Sequence, residues 1–129
     1  MARQLSTAKP APAEEYVRTA TGRAYYAAFL VARERLRTIG HHLPRDRSVH
    51  RYVIERLRRG GDQVIRGLGQ NLCDLYEHRK DADYELAGRY RSHLAFSPAH
   101  GVLMATSAEL WINTFSSFTD PALVTACPP

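Results

Sequence analysis

The sequence predicts an all-α protein, folded as an up-and-down bundle of four to five helices. Apolar residues recur at three- and four-residue spacing in four segments, and glycine or proline separates these segments. No segment shows the strict alternation of apolar and polar residues that is typical of a strand. We therefore expect a helical domain over residues 13–115, a flexible N-terminal tail over 1–12 and an irregular C-terminal tail over 116–129.

Length and composition support one globular domain. The chain has 129 residues, 44% of them hydrophobic, which is enough for one core. No apolar run approaches the roughly 18 residues of a membrane span, and the N-terminus lacks the apolar region of a signal peptide. The two cysteines, Cys73 and Cys127, form no disulfide framework, so reduced thiols and a cytoplasmic location are expected.

The charge balance favours an acidic partner. The net charge is +5, and 16 of the 18 basic residues are arginine. The planar guanidinium group suits bidentate contact with phosphate, so RNA or an acidic protein is a reasonable expectation. The alternative is an organism that simply uses arginine in preference to lysine.

The first helix is predicted over residues 13–39. Alanines and aromatic residues form its apolar side, including Tyr25, Tyr26 and Phe29. The arginines after Phe29 at positions 33, 35 and 37 are predicted to form a solvated polar face. Gly40 is placed to end the helix.

Two further helices follow. The second is capped by Asp46 or Ser48 and runs to about Arg59, with an apolar side and many exposed arginines. The glycine pair at positions 60 and 61 breaks it, and Asp62 caps a third helix that runs to about Lys80, after which the chain continues as helix or turn. A last helix is predicted over 98–115.

The stretch 71–84 begins as an amphipathic helix and ends in a dense polar cluster over residues 78–84. Arg79 continues the apolar stripe of Leu68, Leu72 and Leu75, so it can face inward, where an unpaired charge is unfavourable. One interpretation is a structural ion pair with Asp83 one turn later, and the other is a functional site.

The available side chains exclude several chemistries and leave one. The histidines are scattered, no metal-ligand spacing occurs, and the glycines lack the context of a phosphate-binding loop, so neither a metal nor a cofactor is expected. Arginine, histidine, tyrosine and aspartate remain, and these suffice for metal-free RNA cleavage. Arg45 and His50 have a suitable spacing, although Arg37 and His42 match it equally well.

Three segments together resemble the HEPN superfamily. They are Gly22-Arg-Ala-Tyr-Tyr-Ala-Ala-Phe-Leu-Val-Ala-Arg33, Val49-His50 before Val53-Ile54, and the stretch from Leu72 to Tyr84. The resemblance covers roughly residues 20–112. It implies an α-helical bundle that dimerises, often beside a nucleotidyltransferase, and that in many members is a metal-independent ribonuclease of toxin–antitoxin or antiviral systems. Other members only bind RNA or nucleotide, or serve as scaffolds.

The chain departs from the nuclease pattern of that family at one point. The family motif is an arginine followed four to six residues later by histidine; Arg79 matches the arginine, but Asp83 and Tyr84 stand where the histidine is expected. Our hypothesis is that His50 complements Arg79 from another helix as the acid–base group, that Arg79 stabilises the phosphorane charge, and that Asp83 or Tyr84 orients the phosphate. The residues expected to bind RNA or a partner are Arg23, Tyr26, Arg45, Arg47, Arg51 and Lys80. A catalytically silent binding module is the alternative.

Overall fold

A computed structural model describes residues 12–86 and 98–129, with side chains described for residues 22–80, 103 and 105–129. Over these residues the protein is an all-helical bundle, which confirms the predicted fold class. Its helices are α1 (Pro12–Thr38), α2 (Ser48–Arg58), α3 (Gln63–Leu86), α4 (Pro98–Ser116) and α5 (Asp120–Ala126). Most of the predicted tail, residues 1–11, lies outside the described part of the chain.

Glycine ends α1 as the sequence predicts. Gly40 has φ +113°, a left-handed conformation that side chains disfavour. The amide of His41 donates to the carbonyl of Leu36, and the amide of Gly40 donates to that of Arg37. This is the Schellman arrangement, which satisfies carbonyl groups at the helix end.

An antiparallel pair of helices, α2 and α3, supports one side of the bundle. Asp62 caps α3, since its carboxylate accepts hydrogen bonds from the amides of Val64 (2.8 Å) and Ile65 (3.1 Å). A Cβ atom added at Gly69 would lie 2.4 Å from the backbone nitrogen of Arg58. The absence of a side chain at Gly69 therefore allows the two backbones to approach closely.

The buried core draws on all five helices. α1 contributes a stripe of alanines with Tyr25, Phe29 and Leu36, against apolar side chains of α2 and α3. Trp111 and Phe115 of α4 close the core, and the indole nitrogen of Trp111 donates to the carbonyl of Leu68 at 2.7 Å. A buried indole needs such an acceptor.

The predicted irregular C-terminal tail is wrong in part, because residues 120–126 form α5. Thr119 caps this helix by accepting a hydrogen bond from the amide of Ala122 at 3.2 Å. Leu123 and Cys127 are buried, and the imidazole of His41 bonds the carbonyl of Cys127 at 2.9 Å. A helix this short is not stable alone and depends on these tertiary contacts, which periodicity cannot reveal.

Arg35 also departs from the prediction of a solvated face. Its guanidinium group donates to the carbonyls of Phe115 (3.0 Å) and Phe118 (2.8 Å) and forms an ion pair with Asp120 (2.9 Å). Only 20% of its side chain is exposed. Arg35 thus fastens the turn between α4 and α5 to the end of α1.

Candidate functional site

An aromatic cluster surrounds the imidazole of His50 at the start of α2. The His50 ring stacks on Phe29 of α1 with ring centres 4.4 Å apart, and on Tyr76 of α3 with centres 5.6 Å apart. Tyr25 and Tyr26 of α1 lie 5.7 and 6.2 Å from it. We call these five residues, from three helices, the imidazole cluster.

A hydrogen bond fixes the orientation of His50. The Tyr25 hydroxyl oxygen lies 2.7 Å from Nδ1 of His50. Burial raises the pKa of Tyr25 well above its usual range, so its hydroxyl keeps the proton. That hydroxyl has no exposed surface and donates to Nδ1, which leaves the proton of the neutral imidazole on Nε2. Nε2 is therefore the ring nitrogen that can meet a ligand.

Positive charge next to the imidazole cluster disfavours protonation of His50. Burial lowers the pKa of His50, and the charges of Arg79 and Arg33 lower it further. Both guanidinium groups therefore act on the same imidazole, Arg79 from α3 and Arg33 from α1. The neutral imidazole is favoured near neutral pH.

Arg79 lies at the exposed edge of the imidazole cluster. Its guanidinium carbon is 5.0 Å from the ring centre of Tyr26 and 6.0 Å from that of Tyr25, which are cation–π distances. Tyr26 is 40% exposed, so this edge is open to a ligand. Among the described residues, no carboxylate forms an ion pair with Arg79. A guanidinium group beside an imidazole can stabilise a bound anion.

The structure thus places Arg79, His50 and Tyr26 together, as the sequence-based site requires. Asp83 and Tyr84 belong to α3, but their side chains lie outside the described residues, so the predicted Arg79–Asp83 pair stays a prediction. No described contact adds either residue to the imidazole cluster.

The residues predicted to bind RNA or a partner are spread over a wider surface. Lys80 lies over the ring of Tyr76 at 5.1 Å and pairs with Glu77 at 3.7 Å, so it borders the imidazole cluster. The others are exposed: Arg23 on α1, Arg45 and Arg47 before α2, and Arg51 on α2. Arg45 lines a concave surface, which it shares with Arg33.

Sequence reasoning missed the roles of Phe29, Tyr76 and Arg33. A signal for them exists, because Phe29 lies four residues after Tyr25, Arg33 lies four after Phe29, and Tyr76 lies three before Arg79. Residues at these spacings share one face of a helix. Such spacing gives the face, but it does not say which neighbouring helix the face meets.

The described residues contain no group of three or more histidine, cysteine, aspartate or glutamate side chains arranged to hold a metal ion. Both cysteines are free thiols, and burial raises the pKa of Cys127. None of the described helices is long and apolar enough to cross a membrane.

Comparison with known proteins gives no relative for this chain: no protein-family model, no curated protein and no solved structure matches it. The class that the fold and the site define is an all-helical bundle with an arginine–histidine–tyrosine site at its surface. Its function therefore has to be argued from the residues themselves.

Proposed function

We propose that this chain is an RNA-directed protein of the HEPN type in a toxin–antitoxin or antiviral defence system, acting as a dimeric, metal-independent endoribonuclease. The observation that carries the proposal is the meeting of His50 and Arg79, from α2 and α3, at the exposed ring of Tyr26. An acid–base group and a permanent cation beside an open stacking surface are what RNA cleavage without metal requires.

The reaction proceeds by attack of a ribose 2′-oxygen on the neighbouring phosphorus. Water accepts the 2′-hydroxyl proton, the bond from phosphorus to the 5′-oxygen breaks, and a 2′,3′-cyclic phosphate and a 5′-hydroxyl result. In the imidazolium form of His50, Nδ1–H donates to the Tyr25 hydroxyl oxygen, so the direction of that hydrogen bond is reversed. The Nε2 proton is donated to the departing 5′-oxygen, and the imidazole regains a proton from solvent. Arg79 balances the negative charge that builds on the phosphorane oxygens.

The depressed pKa of His50 has a consequence for this mechanism. The imidazolium is a stronger acid than an ordinary one, but it is less populated near neutral pH. Cleavage should therefore slow as the pH rises through the pKa of His50. Asp83 and Tyr84, one turn beyond Arg79 on α3, remain the proposed residues that orient the phosphate.

The dimer in this proposal is supported by an apolar groove between α3 and α4. The groove has a volume of about 470 Å³, and Leu110 (67% exposed) and Val64 (50% exposed) border it. Its described lining includes no lysine or arginine, in a chain of net charge +5. Two copies of a cationic protein can approach there with little repulsion, and burial of Leu110 and Val64 stabilises the contact.

The test is RNA cleavage by the purified protein in excess EDTA, with identification of the product ends. We expect cyclic phosphate products, and we expect His50→Gln and Arg79→Gln each to abolish them. Arg59→Gln is the matched control, since Arg59 is exposed at the far end of α2 and its removal changes the charge equally. Cleavage that survives both site variants would show that a contaminant or another site is responsible.

A second candidate is a catalytically silent module that docks a nucleotidyltransferase or another partner protein. The observation that favours it is the confinement of His50, whose ring contacts Phe29 and Tyr76 and whose Nδ1 is bonded to Tyr25. A purely structural role, in which the imidazole holds the three helices together, also accounts for a histidine held in this way. Absence of RNA cleavage by the dimer, together with unimpaired partner binding by Arg79→Gln, would favour this candidate over the nuclease.

A further inference from the structure

A second concave surface, about 640 Å³ in volume, lies beside the imidazole cluster. It is formed by the last turns of α1, the segment 41–45 and the start of α2. We call it the arginine pocket; its lining includes Arg33, Arg37, His42, Pro44, Arg45 and Val49. Three guanidinium groups around one concavity are a concentration of positive charge that the fold alone does not require.

The carboxylates nearest in sequence to the arginine pocket are already engaged. Glu34 bonds Arg37, and Asp46 accepts hydrogen bonds from the backbone and hydroxyl of Ser48. Among the described residues, neither Arg33 nor Arg45 forms an ion pair with a carboxylate. Their planar forks are available for an anion, and phosphate is the anion whose geometry they match in a bidentate contact.

The arginine pocket adjoins the imidazole cluster on two elements. Arg33 follows Phe29 by one turn of α1, a rise of about 6 Å along the helix axis. Val49, which lines the pocket, immediately precedes His50. The pocket therefore lies next to His50 along both elements, so neighbouring nucleotides of a single RNA strand can contact the two places.

We propose that the arginine pocket binds phosphates of the RNA strand that flank the phosphate held between His50 and Arg79. This inference rests on the proposed RNA-directed function and adds to it a second contact, made by Arg33 and Arg45. The pocket would hold the strand by its backbone, without reading its bases. Its role is to position the strand, and the chemistry stays with the imidazole cluster.

The experiment measures binding separately from cleavage. The probe is a short single-stranded 2′-O-methyl oligonucleotide, which cannot be cleaved because it lacks the attacking hydroxyl. Its affinity is measured by fluorescence anisotropy over a range of KCl concentrations. The double variant Arg33→Gln/Arg45→Gln is compared with Arg58→Gln/Arg59→Gln, which removes the same charge from exposed arginines that pair with Glu55 at the other end of α2.

The expected result is a weaker salt dependence of RNA affinity in the pocket variant alone. Each phosphate contact to a single strand contributes about 0.7 to the slope of log affinity against log salt, so loss of two contacts lowers the slope by about 1.4. The control variant should keep nearly the full slope. Circular dichroism verifies that both double variants are folded.

Two outcomes would overturn the inference: equal affinity and slope for the two double variants, or no binding of the probe by the wild type. Binding of poly-glutamate that depends on Arg33 and Arg45, with RNA binding unaffected, would also overturn it in favour of an acidic protein partner. Loss of slope in the pocket variant, in a wild type that cleaves no RNA, supports the pocket while it refutes the nuclease. A failure of the arginine-pocket proposal can therefore be distinguished from a failure of the nuclease proposal.

Discussion

Two glycines on the same helix are predicted to respond to alanine in opposite ways. A Cβ atom added at Gly69 would lie 2.4 Å from the nitrogen of Arg58 and 2.7 Å from the carbonyl carbon of Leu57. Both are backbone atoms and cannot rotate away, so α2 would have to move by about 1 Å to reach an ordinary contact of 3.4 Å. An added Cβ at Gly67 meets nothing within 4 Å.

The change in the free energy of unfolding of each alanine variant is the sum of two opposing terms. Alanine is preferred over glycine in a helix interior by about 1 kcal/mol, and this gain applies at both positions. Overpacking against a fixed backbone destabilises by about 1–3 kcal/mol, and this loss applies only at Gly69. Gly67→Ala should therefore be more stable than the wild type, and Gly69→Ala should be about 1–3 kcal/mol less stable than Gly67→Ala, because the helix-propensity term cancels in that comparison.

The assay is urea unfolding followed by circular dichroism, at two protein concentrations, since association through the groove beside Gly67 would make the apparent stability depend on concentration. The displacement of α2 by Gly69→Ala should also disturb the stacking of His50 on Tyr76, which proton chemical shifts of the imidazole would report. Equal stabilities for the two alanine variants would refute the close α2–α3 approach at Gly69, and with it the structural basis for the position of His50.

Further predictions concern the contacts of Arg35 with the turn before α5 and the ionisation of His50. Arg35→Met should lower the free energy of unfolding by about 1.5–3 kcal/mol, since it removes charged hydrogen bonds to the backbone. The control Arg37→Met should leave urea unfolding close to that of the wild type. Equal effects of the two variants would contradict the role of Arg35 in holding the turn between α4 and α5. The pKa of His50 is lower in the folded chain than in the unfolded chain, so the unfolded chain binds more protons at mildly acidic pH. The contribution of His50 to the free energy of unfolding is therefore present above about pH 6.5 and is lost as the pH falls below that value. The free energy of unfolding, measured across that pH range, should depend less steeply on pH in His50→Gln than in the wild type. An unchanged pH dependence would count against the lowered pKa. Arg79→Ala should raise the pKa of His50 in an NMR titration, and a pKa that stays the same or falls would place Arg79 too far away to act on the imidazole.

The local features of the fold were predictable from the sequence. The extents of α1 and α2, the end of α1 at Gly40 and the cap at Asp62 all depend on interactions within about four residues, which the sequence displays directly. The all-helical class follows from the same short-range periodicity. The short α5 escaped prediction because its stability comes from burial of Leu123 and from contacts with distant segments, although Thr119 before Pro121 is a local cap signal.

The candidate site, too, could be predicted from the sequence only in part. The sequence placed Arg79 at the end of an apolar stripe and identified His50 and Tyr26 as residues of suitable chemistry. Only the tertiary structure decides that Tyr25 bonds Nδ1 of His50 and that Arg79 lies over Tyr26. These contacts depend on how three helices cross and in which register.

Helix periodicity fixes which side of each helix is apolar, but the register between helices comes from the packing of many side chains far apart in sequence. The approach at Gly69 shows the difference. Glycine is unfavourable in a helix interior, and the structure shows that the missing side chain at this position allows the backbone of α2 to approach. The sequence by itself thus determined the four longer helices and the inventory of reactive groups, and the tertiary structure decided where α5 forms and which of those groups meet.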